Sequence, residues 1–215
     1  MNTVSFTKTY NGSKVLTMPS FTFESSKIYA VIGANGSGKS TLARILAGTE
    51  SPDSGQKITG GMNVAYLPQK CFAFRMSTKR NIMLGGSDEA RAEMLMNRLS
   101  ISRLSGKNAK HLSGGESARM ALARVLMSPC DMLILDEPAA AMDMASSVEA
   151  EALIRDYRDE TGCSVLLVTH SLQQARRIAD EVLFFSEGEL IEHGETAKCL
   201  SKPRSEELKS FLEFY

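Results

Sequence analysis

The order of apolar and polar positions predicts paired strands at the start of the chain, then a buried strand and a helix. Residues 4–7 alternate apolar and polar side chains, and the strand-like stretch 14–23 follows after an Asn-Gly turn. Residues 28–32 are nearly all apolar, which is typical of a strand covered on both faces in a parallel sheet. Apolar residues at helical spacing then occupy 42–46, and Gly48 is placed to end that helix.

The middle of the chain has a different pattern. Residues 70–127 contain no buried-strand run, are rich in methionine, and predict helices over 88–99 and 114–127. We therefore expect residues 70–125 to form a helical lobe inserted into an α/β core.

The core pattern resumes after this lobe. Buried strands are predicted at 132–135 and 164–168, and a helical apolar face spans 150–157 between them. Residues 182–191 predict a hairpin. The stripe formed by Leu208, Phe211, Leu212 and Tyr215 predicts a helix that packs on the core, with partner contact as the alternative. The predicted core is thus residues 1–69 and 126–215, within one domain of 215 residues.

Charge and composition indicate a cytosolic globular protein. Lys+Arg and Asp+Glu both total 25, whereas a dedicated nucleic-acid binder usually carries a basic excess, so we expect no nucleic-acid partner. The cluster Arg75, Lys79 and Arg80 is either a solvated face or a local basic patch. The four cysteines are scattered and predict reduced thiols. We expect no signal peptide, because the N-terminus lacks the basic stretch and apolar block of such a peptide, and no membrane span, because no apolar run approaches the ~20 residues that a bilayer requires.

Residues 33–40, Gly-Ala-Asn-Gly-Ser-Gly-Lys-Ser, match the phosphate-binding loop pattern G-x-x-x-x-G-K-[ST]. Glycines let the backbone curl so that its N–H groups point at phosphates, and the following helix adds the positive end of its dipole. Lys39 is expected to reach the β- and γ-phosphates of ATP, and the Ser40 hydroxyl to bind Mg²⁺. The predicted nucleotide-binding residues here are Gly33, Asn35, Gly36, Ser37, Gly38, Lys39, Ser40 and Thr41.

Two carboxylates follow the apolar strand predicted at 132–135. Asp136 would lie at the carboxyl end of that strand, where α/β sheets place ligands, and could hold Mg²⁺. Glu137 follows and could polarise the attacking water. Together with the phosphate loop, this pair predicts a nucleoside-triphosphate hydrolase or kinase.

The string Leu112-Ser113-Gly114-Gly115-Glu116 precedes a predicted helix and resembles the signature motif of ATP-binding-cassette (ABC) ATPases. In isolation it could equally be a helix-capping loop, in which Ser113 is the cap and Glu116 completes a capping box. Its position between the phosphate loop and the Asp-Glu strand favours the resemblance. The signature residues Ser113, Gly114 and Gly115 are then expected to offer N–H groups and a hydroxyl to a phosphate.

Other positions of the chain match the same family. Tyr10 corresponds to the aromatic residue that stacks on adenine, although a tyrosine at a strand end could also be core. Gln69 matches the glutamine that senses Mg²⁺ and the γ-phosphate. Asp143 matches the D-loop aspartate, and His170 the switch histidine at the γ-phosphate. The resemblance therefore spans essentially the whole chain.

The resemblance implies a P-loop NTPase core of the ABC ATPase type, with a mixed sheet, an N-terminal antiparallel β-subdomain and the inserted helical subdomain. It implies that two copies bind ATP head to tail and that a separate transmembrane permease is driven by their closure. With only 43 residues between Gln69 and Ser113, the lobe resembles that of compact bacterial importer subunits. An importer of a small anion or amino acid, with a solute-binding protein, is therefore expected at the cytoplasmic membrane face.

Several points stay open at this stage. Cys71, Phe72 and Phe74 next to Gln69 would border the permease-docking groove, or would be ordinary core of the lobe. The D-loop reads Ala-Ala-Ala-Met-Asp, which departs from the family pattern and predicts altered packing at the dimer interface with hydrolysis intact. A soluble ABC ATPase acting on ribosomes or DNA is the main alternative. A subunit that regulates without hydrolysing is disfavoured by Glu137 and His170.

Overall fold

The computed structural model describes residues 2–56 and 62–214. The described strands form one sheet in the order β4-β1-β2-β9-β8-β3-β7-β6-β5. Their bounds are β1 Asn2–Tyr10, β2 Ser13–Phe23, β3 Ile28–Ile32, β4 Ser54–Gln56, β5 Val64–Leu67, β6 Met132–Asp136, β7 Ser164–Val168, β8 Glu181–Ser186 and β9 Glu189–Glu195. The helices are α1 Lys39–Leu46, α2 Thr78–Met83, α3 Glu89–Arg98, α4 Gly114–Val125, α5 Met144–Thr161, α6 Leu172–Ile178, α7 Thr196–Ser201 and α8 Glu206–Phe214.

The sheet is mixed, as the sequence predicts. Strands β3, β6 and β7 are buried at every position and pair in parallel, which explains their nearly continuous apolar sequences. Strands β1 and β2 pair antiparallel, as do β8 and β9. The half-buried alternation of β1 and β2 follows from this position at the antiparallel side of the sheet.

Contacts divide the chain into two compact units. The first contains residues 1–65, 130–136 and 162–215, and the second contains residues 66–129 and 137–161. The predicted lobe, residues 70–125, falls inside the second unit, which also takes in the long helix α5. The domain boundaries drawn from sequence stay a prediction.

Helix ends in the second unit follow local capping chemistry. Asp88 begins α3 by accepting a hydrogen bond from the N–H of Arg91 at 2.9 Å. Helix α4 ends at Val125, two residues before the predicted end. Helix α2, six residues long and capped by Ser77, has no clear sequence pattern, because so short a segment leaves little periodicity to detect.

The C-terminal stripe packs as predicted within the first unit. Leu208 and Phe211 of α8 are buried, and Leu212 packs against the same cluster, which includes Ala30, Ile32 and Phe184. The ring centroids of Phe184 and Phe211 lie 5.2 Å apart. Tyr215, the last residue of the predicted stripe, lies outside the described residues.

Two smaller expectations concern the cysteines and the basic cluster. All four cysteines are free thiols. In the basic cluster, the ammonium of Lys79 lies 3.1 Å from both Glu89 and Glu93, so this charge is paired on a solvated face. In residues 2–56 and 62–214, no helix has the length and apolar character needed to cross a membrane.

Candidate nucleotide site

Three parallel strands bring the predicted phosphate-site residues of the first unit to one edge of the sheet. In the register, Val31 of β3 and Asp136 of β6 both pair with Val168 of β7. The phosphate loop follows β3, and His170 lies two residues beyond Val168 at the exposed surface. The carboxyl ends of parallel strands are where α/β sheets bind ligands, so this edge is the candidate site.

The phosphate loop needs glycine at its first position. Gly33 has a φ of 147°, and a Cβ there would lie 2.1 Å from the carbonyl oxygen of Phe185. Gly38, with a φ of 94°, leads into α1 at its N-terminal end. The tip residues Ala34, Asn35 and Gly36 are exposed, whereas Ser37 is buried. The loop therefore presents its tip outward while its two ends are fixed against the sheet.

Lys39 folds back over the loop. Its side-chain nitrogen donates to the carbonyl oxygens of Gly33 and Ala34, both at 2.7 Å, and lies 3.5 Å from the Ser37 hydroxyl. The residue is only 8% exposed. An ammonium group held at the mouth of a glycine loop is suited to contact a phosphate that the loop binds.

A hydroxyl and a carboxylate face each other beside the loop. The Ser40 hydroxyl donates to Oδ1 of Asp136 at 3.3 Å, and Asp136 is buried. No group of three or more His, Cys, Asp or Glu residues among the described residues is arranged to bind a metal. Mg²⁺ usually takes one or two protein ligands and completes its shell with water and phosphate oxygens, so this pair fits Mg²⁺.

Tyr10 lies at the end of β1 and is 40% exposed, which leaves ring surface accessible for stacking. Its hydroxyl donates to the carboxylate of Glu50, and the Lys8 ammonium lies 5.4 Å from the ring centroid. The alternative that Tyr10 is a core residue does not agree with this exposure.

The signature residues form their own local site in the second unit. The Ser113 hydroxyl accepts from the N–H of Glu116 at 3.3 Å, and Glu116 accepts from the N–H of Ser113 at 2.8 Å. This is the capping box considered from the sequence. The hydrogen bond from the Ser113 N–H lowers the pKa of Glu116 below its ordinary value. The box fixes the start of α4 and leaves Ser113 and Gly114 exposed.

The D-loop packs directly against the start of α4. A Cβ on Gly115 would lie 2.8 Å from the carbonyl oxygen of Ala141. Asp143 accepts a hydrogen bond from the N–H of Ser146 at 2.8 Å, which caps α5 and lowers the pKa of Asp143. Arg119 of α4 donates to the Ser146 hydroxyl at 3.1 Å. The signature helix and the D-loop are therefore joined within one unit.

The remaining predicted residues of the second unit are accessible. Gln69 is exposed, two residues beyond β5. Glu137 is partly buried and has a φ of 55°, a left-handed conformation that few non-glycine residues adopt. Such a conformation costs energy and is found preferentially at functional sites.

Phe72 and Phe74 form an exposed aromatic patch rather than core of the lobe. They are 56% and 43% exposed, and their ring centroids lie 4.9 Å apart. Lys110 lies 4.5 Å from the Phe72 ring centroid, and the Arg124 guanidinium lies 5.8 Å from that of Phe74. Arg124 also donates a hydrogen bond to the Phe72 carbonyl oxygen at 2.9 Å, and this bond fixes the backbone of the patch.

Sequence reasoning missed two residues at these sites. Glu50 contacts Tyr10 from a position 40 residues away, so no local pattern could identify it. Arg119 lies one helical turn after Gly115, and that spacing does signal that both share one face of α4.

The fold and these motifs define an ATP-binding subunit of the ABC class. A family model described as ABC transporter matches residues 16–140, and the chain belongs to this family. It is an ATPase subunit, and ATP is its ligand.

Similar proteins agree with this assignment. The tungstate uptake system ATP-binding protein TupC of Peptoclostridium acidaminophilum is 38% identical over 196 residues, which cover 84% of this chain and 92% of that protein. The zinc import ATP-binding protein ZnuC of Alcanivorax borkumensis is 35% identical, covering 81% of this chain and 70% of that protein. A solved ATP-binding subunit of an ABC transporter superposes with a TM-score of 0.83 at 21% identity, covering 99% of this chain and 98% of that one. This last likeness supports the fold.

Proposed function

We propose that this chain is the motor of an ABC importer and couples ATP-driven closure of a dimer to solute uptake through a separate permease. The observation that carries the proposal is the match to a tungstate uptake subunit over 92% of that protein's length. Relatives named for import of aliphatic sulfonates and of sulfate or thiosulfate are 36% and 32% identical. The proposed cargo is a small anion, as for these relatives, or an amino acid, since a methionine import subunit is 30% identical.

The proposed chemistry at the first unit begins with phosphate binding. The loop backbone and the N-terminus of α1 hold the phosphates of ATP, and Lys39 exchanges its loop carbonyls for β- and γ-phosphate oxygens. Ser40 and Asp136 would hold Mg²⁺, and Gln69 would be a further ligand by family resemblance. Mg²⁺ held there would supply positive charge that offsets the charge of the phosphates.

Hydrolysis is proposed to use the residues that follow two of the strands. Glu137 orients and polarises the attacking water, and His170 contacts the γ-phosphate. Ser113 of a second copy completes the site, so that two identical chains close over two ATP molecules. Hydrolysis then removes the γ-phosphate that both copies hold, and the dimer opens.

The aromatic patch is proposed to dock the permease. Two exposed aromatic rings, three and five residues after the exposed Gln69, offer the apolar anchors that protein interfaces use, and two cations border them. The same assembly would place the chain at the cytoplasmic face of the membrane, with a solute-binding protein on the other side. The chain itself would act as one ABC ATPase domain over residues 1–215, with 70–125 as its helical lobe.

The test is purification of the tagged chain from detergent-solubilised native cells, followed by identification of stoichiometric partners. We expect a polytopic membrane protein, and we expect the Phe72→Ser/Phe74→Ser variant to lose at least about 90% of it, because interface energy concentrates in a few aromatic anchors. Phe214→Ser is the matched control, since Phe214 is 85% exposed on α8. Cells lacking the chain should also fail to accumulate labelled tungstate or sulfate.

Recovery of ribosomes or DNA-bound proteins in place of a membrane protein would contradict the importer proposal. Equal recovery of the permease with both variants would contradict only the docking role of the aromatic patch.

A further inference from the structure

Tyr10 belongs to a cluster of side chains that we call the Glu50 cluster, made of Lys8, Tyr10, Arg44 and Glu50. Glu50 accepts from the Tyr10 hydroxyl and from Nε of Arg44, the latter at 3.0 Å, and the Lys8 ammonium lies 3.5 Å away. The Glu50 side chain is only 17% exposed. One carboxylate thus holds donors from β1 and from α1.

The Glu50 cluster is tied to the helix that follows the phosphate loop. Arg44 donates from Nη2 to the hydroxyl of Thr41 at 3.0 Å, and Thr41 is buried directly after Ser40. The N–H of Glu50 also donates to the carbonyl oxygen of Arg44 at 3.2 Å. A continuous chain of hydrogen bonds therefore runs from the Tyr10 hydroxyl through Glu50 and Arg44 to Thr41.

The segment that carries Glu50 is fixed on its other side to β1. Asp53 accepts from the N–H of Thr9 at 2.7 Å, and its own N–H donates to the carbonyl oxygen of Thr7 at 3.0 Å. Lys8 joins the two acidic residues, with its ammonium 3.2 Å from Asp53. The segment that carries Glu50 is thus fixed both to α1 and to β1, so Glu50 can hold another side chain in place.

Glu50 remains an acceptor at neutral pH. Burial by itself would raise the pKa of Glu50, but the hydrogen bonds from Tyr10 and Arg44 outweigh burial and lower it below the ordinary value. The carboxylate therefore stays charged and keeps accepting from the Tyr10 hydroxyl.

We propose that Glu50 is a positioning residue for the base of the nucleotide: through the Tyr10 hydroxyl it fixes the ring on which the base stacks, and through Arg44 and Thr41 it sets that ring relative to the phosphate loop. The inference rests on the proposed stacking role of Tyr10. An exposed tyrosine without such a bond would sample several rotamers and would lose that freedom when a nucleotide binds. Glu50 removes this cost in advance.

The experiment compares two ligands, ADP and inorganic pyrophosphate, each with Mg²⁺ and each measured by titration calorimetry. Neither is hydrolysed, and only ADP carries a base. Tyr10→Phe keeps the ring but removes the hydroxyl, and Glu50→Ala removes the acceptor. We expect each variant to bind ADP about three- to tenfold more weakly, the equivalent of one ordered side chain, and to bind pyrophosphate as the native chain does.

The double variant makes the test sharper. If Glu50 acts through the Tyr10 hydroxyl, Tyr10→Phe/Glu50→Ala should weaken ADP binding no more than either single change, since both remove the same interaction. Fully additive losses, or an equal loss of pyrophosphate affinity, would overturn the inference. Lys14→Gln is the control, because it removes an exposed ion pair with Glu189 in the same unit and should change neither affinity.

The Tyr10→Ala variant distinguishes a failure of the positioning role of Glu50 from a failure of the stacking role of Tyr10, on which the positioning role rests. Weak ADP binding by Tyr10→Ala together with native binding by Tyr10→Phe would overturn the positioning role alone. Native ADP binding by Tyr10→Ala would overturn the stacking role, and the inference with it.

Discussion

At the residue scale, the polar side chains of the motifs are held by short-range contacts of their own loops. Lys39 donates to two carbonyl oxygens of the phosphate loop, Ser113 takes part in a capping box, and Asp143 caps α5. Each residue therefore has a local structural role alongside its proposed catalytic or binding role. The effect of a substitution on function must therefore be distinguished from the effect of losing these contacts. The adjacent glycines Gly114 and Gly115 of the signature motif allow this comparison.

Gly115→Ala should destabilise the second unit by about 1–3 kcal/mol, the usual cost of overpacking. The new Cβ would lie 2.8 Å from the Ala141 carbonyl oxygen, and a backbone atom cannot move away as a flexible side chain can. Chemical denaturation of the full chain measures the change in the free energy of unfolding.

Gly114→Ala is the matched control for this prediction. Its Cβ would meet nothing nearer than the Ala141 Cβ at 3.9 Å, so the change should be neutral, or stabilising by up to about 1 kcal/mol through helix propensity. Equal stabilities of the two variants would mean that contact with the D-loop does not restrict this position.

At the element scale, helices are joined to the sheet through their ends. In the first unit, the start of α8 is held by Glu192 of β9, which is buried and accepts from the N–H and the hydroxyl of Ser205, each at 2.8 Å. The N–H of Arg204 donates to the same carboxylate at 3.1 Å. Free N–H groups at a helix start attract a carboxylate, so this contact fixes where α8 begins.

Glu192→Gln should lower the free energy of unfolding by about 1–3 kcal/mol at neutral pH, the value of hydrogen bonds to a charged group. Burial by itself would raise the pKa of Glu192, but the bonds from Ser205 and Arg204 outweigh it, and the pKa lies below the ordinary value. Because folding lowers the pKa of Glu192, its ionised carboxylate stabilises the fold fully when the pH is above the unfolded pKa of about 4.3. This contribution is lost as the pH falls through the folded pKa. The difference between native chain and variant should therefore shrink below about pH 4.

Glu206→Gln, on the same α8 helix, provides the comparison. Its side chain is 84% exposed, so the change should have little effect at any pH. Denaturant titrations from pH 3 to 7 give both curves. A constant difference between the native chain and Glu192→Gln over that range would show that the charge of Glu192 contributes nothing.

At the scale of the whole molecule, the motifs are divided between the two units. The phosphate loop, Asp136 and His170 belong to the first, whereas Gln69, the signature residues and Asp143 belong to the second. Glu137 is the first residue of the second unit after Asp136. Each unit therefore carries part of the set of motifs to which the sequence assigns a role in ATP hydrolysis.

Glu137→Gln should trap an ATP-dependent dimer. The amide would bind in the same place but would polarise water poorly, lowering ATP turnover by about 10²–10⁴-fold. Light scattering should then give a mass about twice the 23.4 kDa of one chain with ATP, and the mass of one chain with ADP. Adding Ser113→Arg should abolish the ATP-dependent dimer, because a bulky cation would occupy the proposed contact in trans. A dimer that forms equally with ADP would contradict the switch.

The sequence by itself determined the parallel core and the chemistry at its edge. Three continuous apolar runs are typical of strands buried on both faces, and a complete glycine loop with Lys39 and Ser40, placed between such a strand and an amphipathic helix, predicts phosphate binding. These features are local: periodicity, turn chemistry and motif spacing act over a few residues. The family resemblance added Tyr10, Gln69, Asp143 and His170, whose roles stay predictions.

Only the tertiary structure decided what depends on residues distant along the chain. It brought Glu50 into hydrogen-bond contact with Tyr10 and left exposed the aromatic patch that could have been core. It also set the left-handed backbone conformation of Glu137. It also set Gly115 against Ala141 and Glu192 at the start of α8. None of these features has a sequence signature. Packing brings together residues that are close in space, whereas a single sequence records only their positions along the chain.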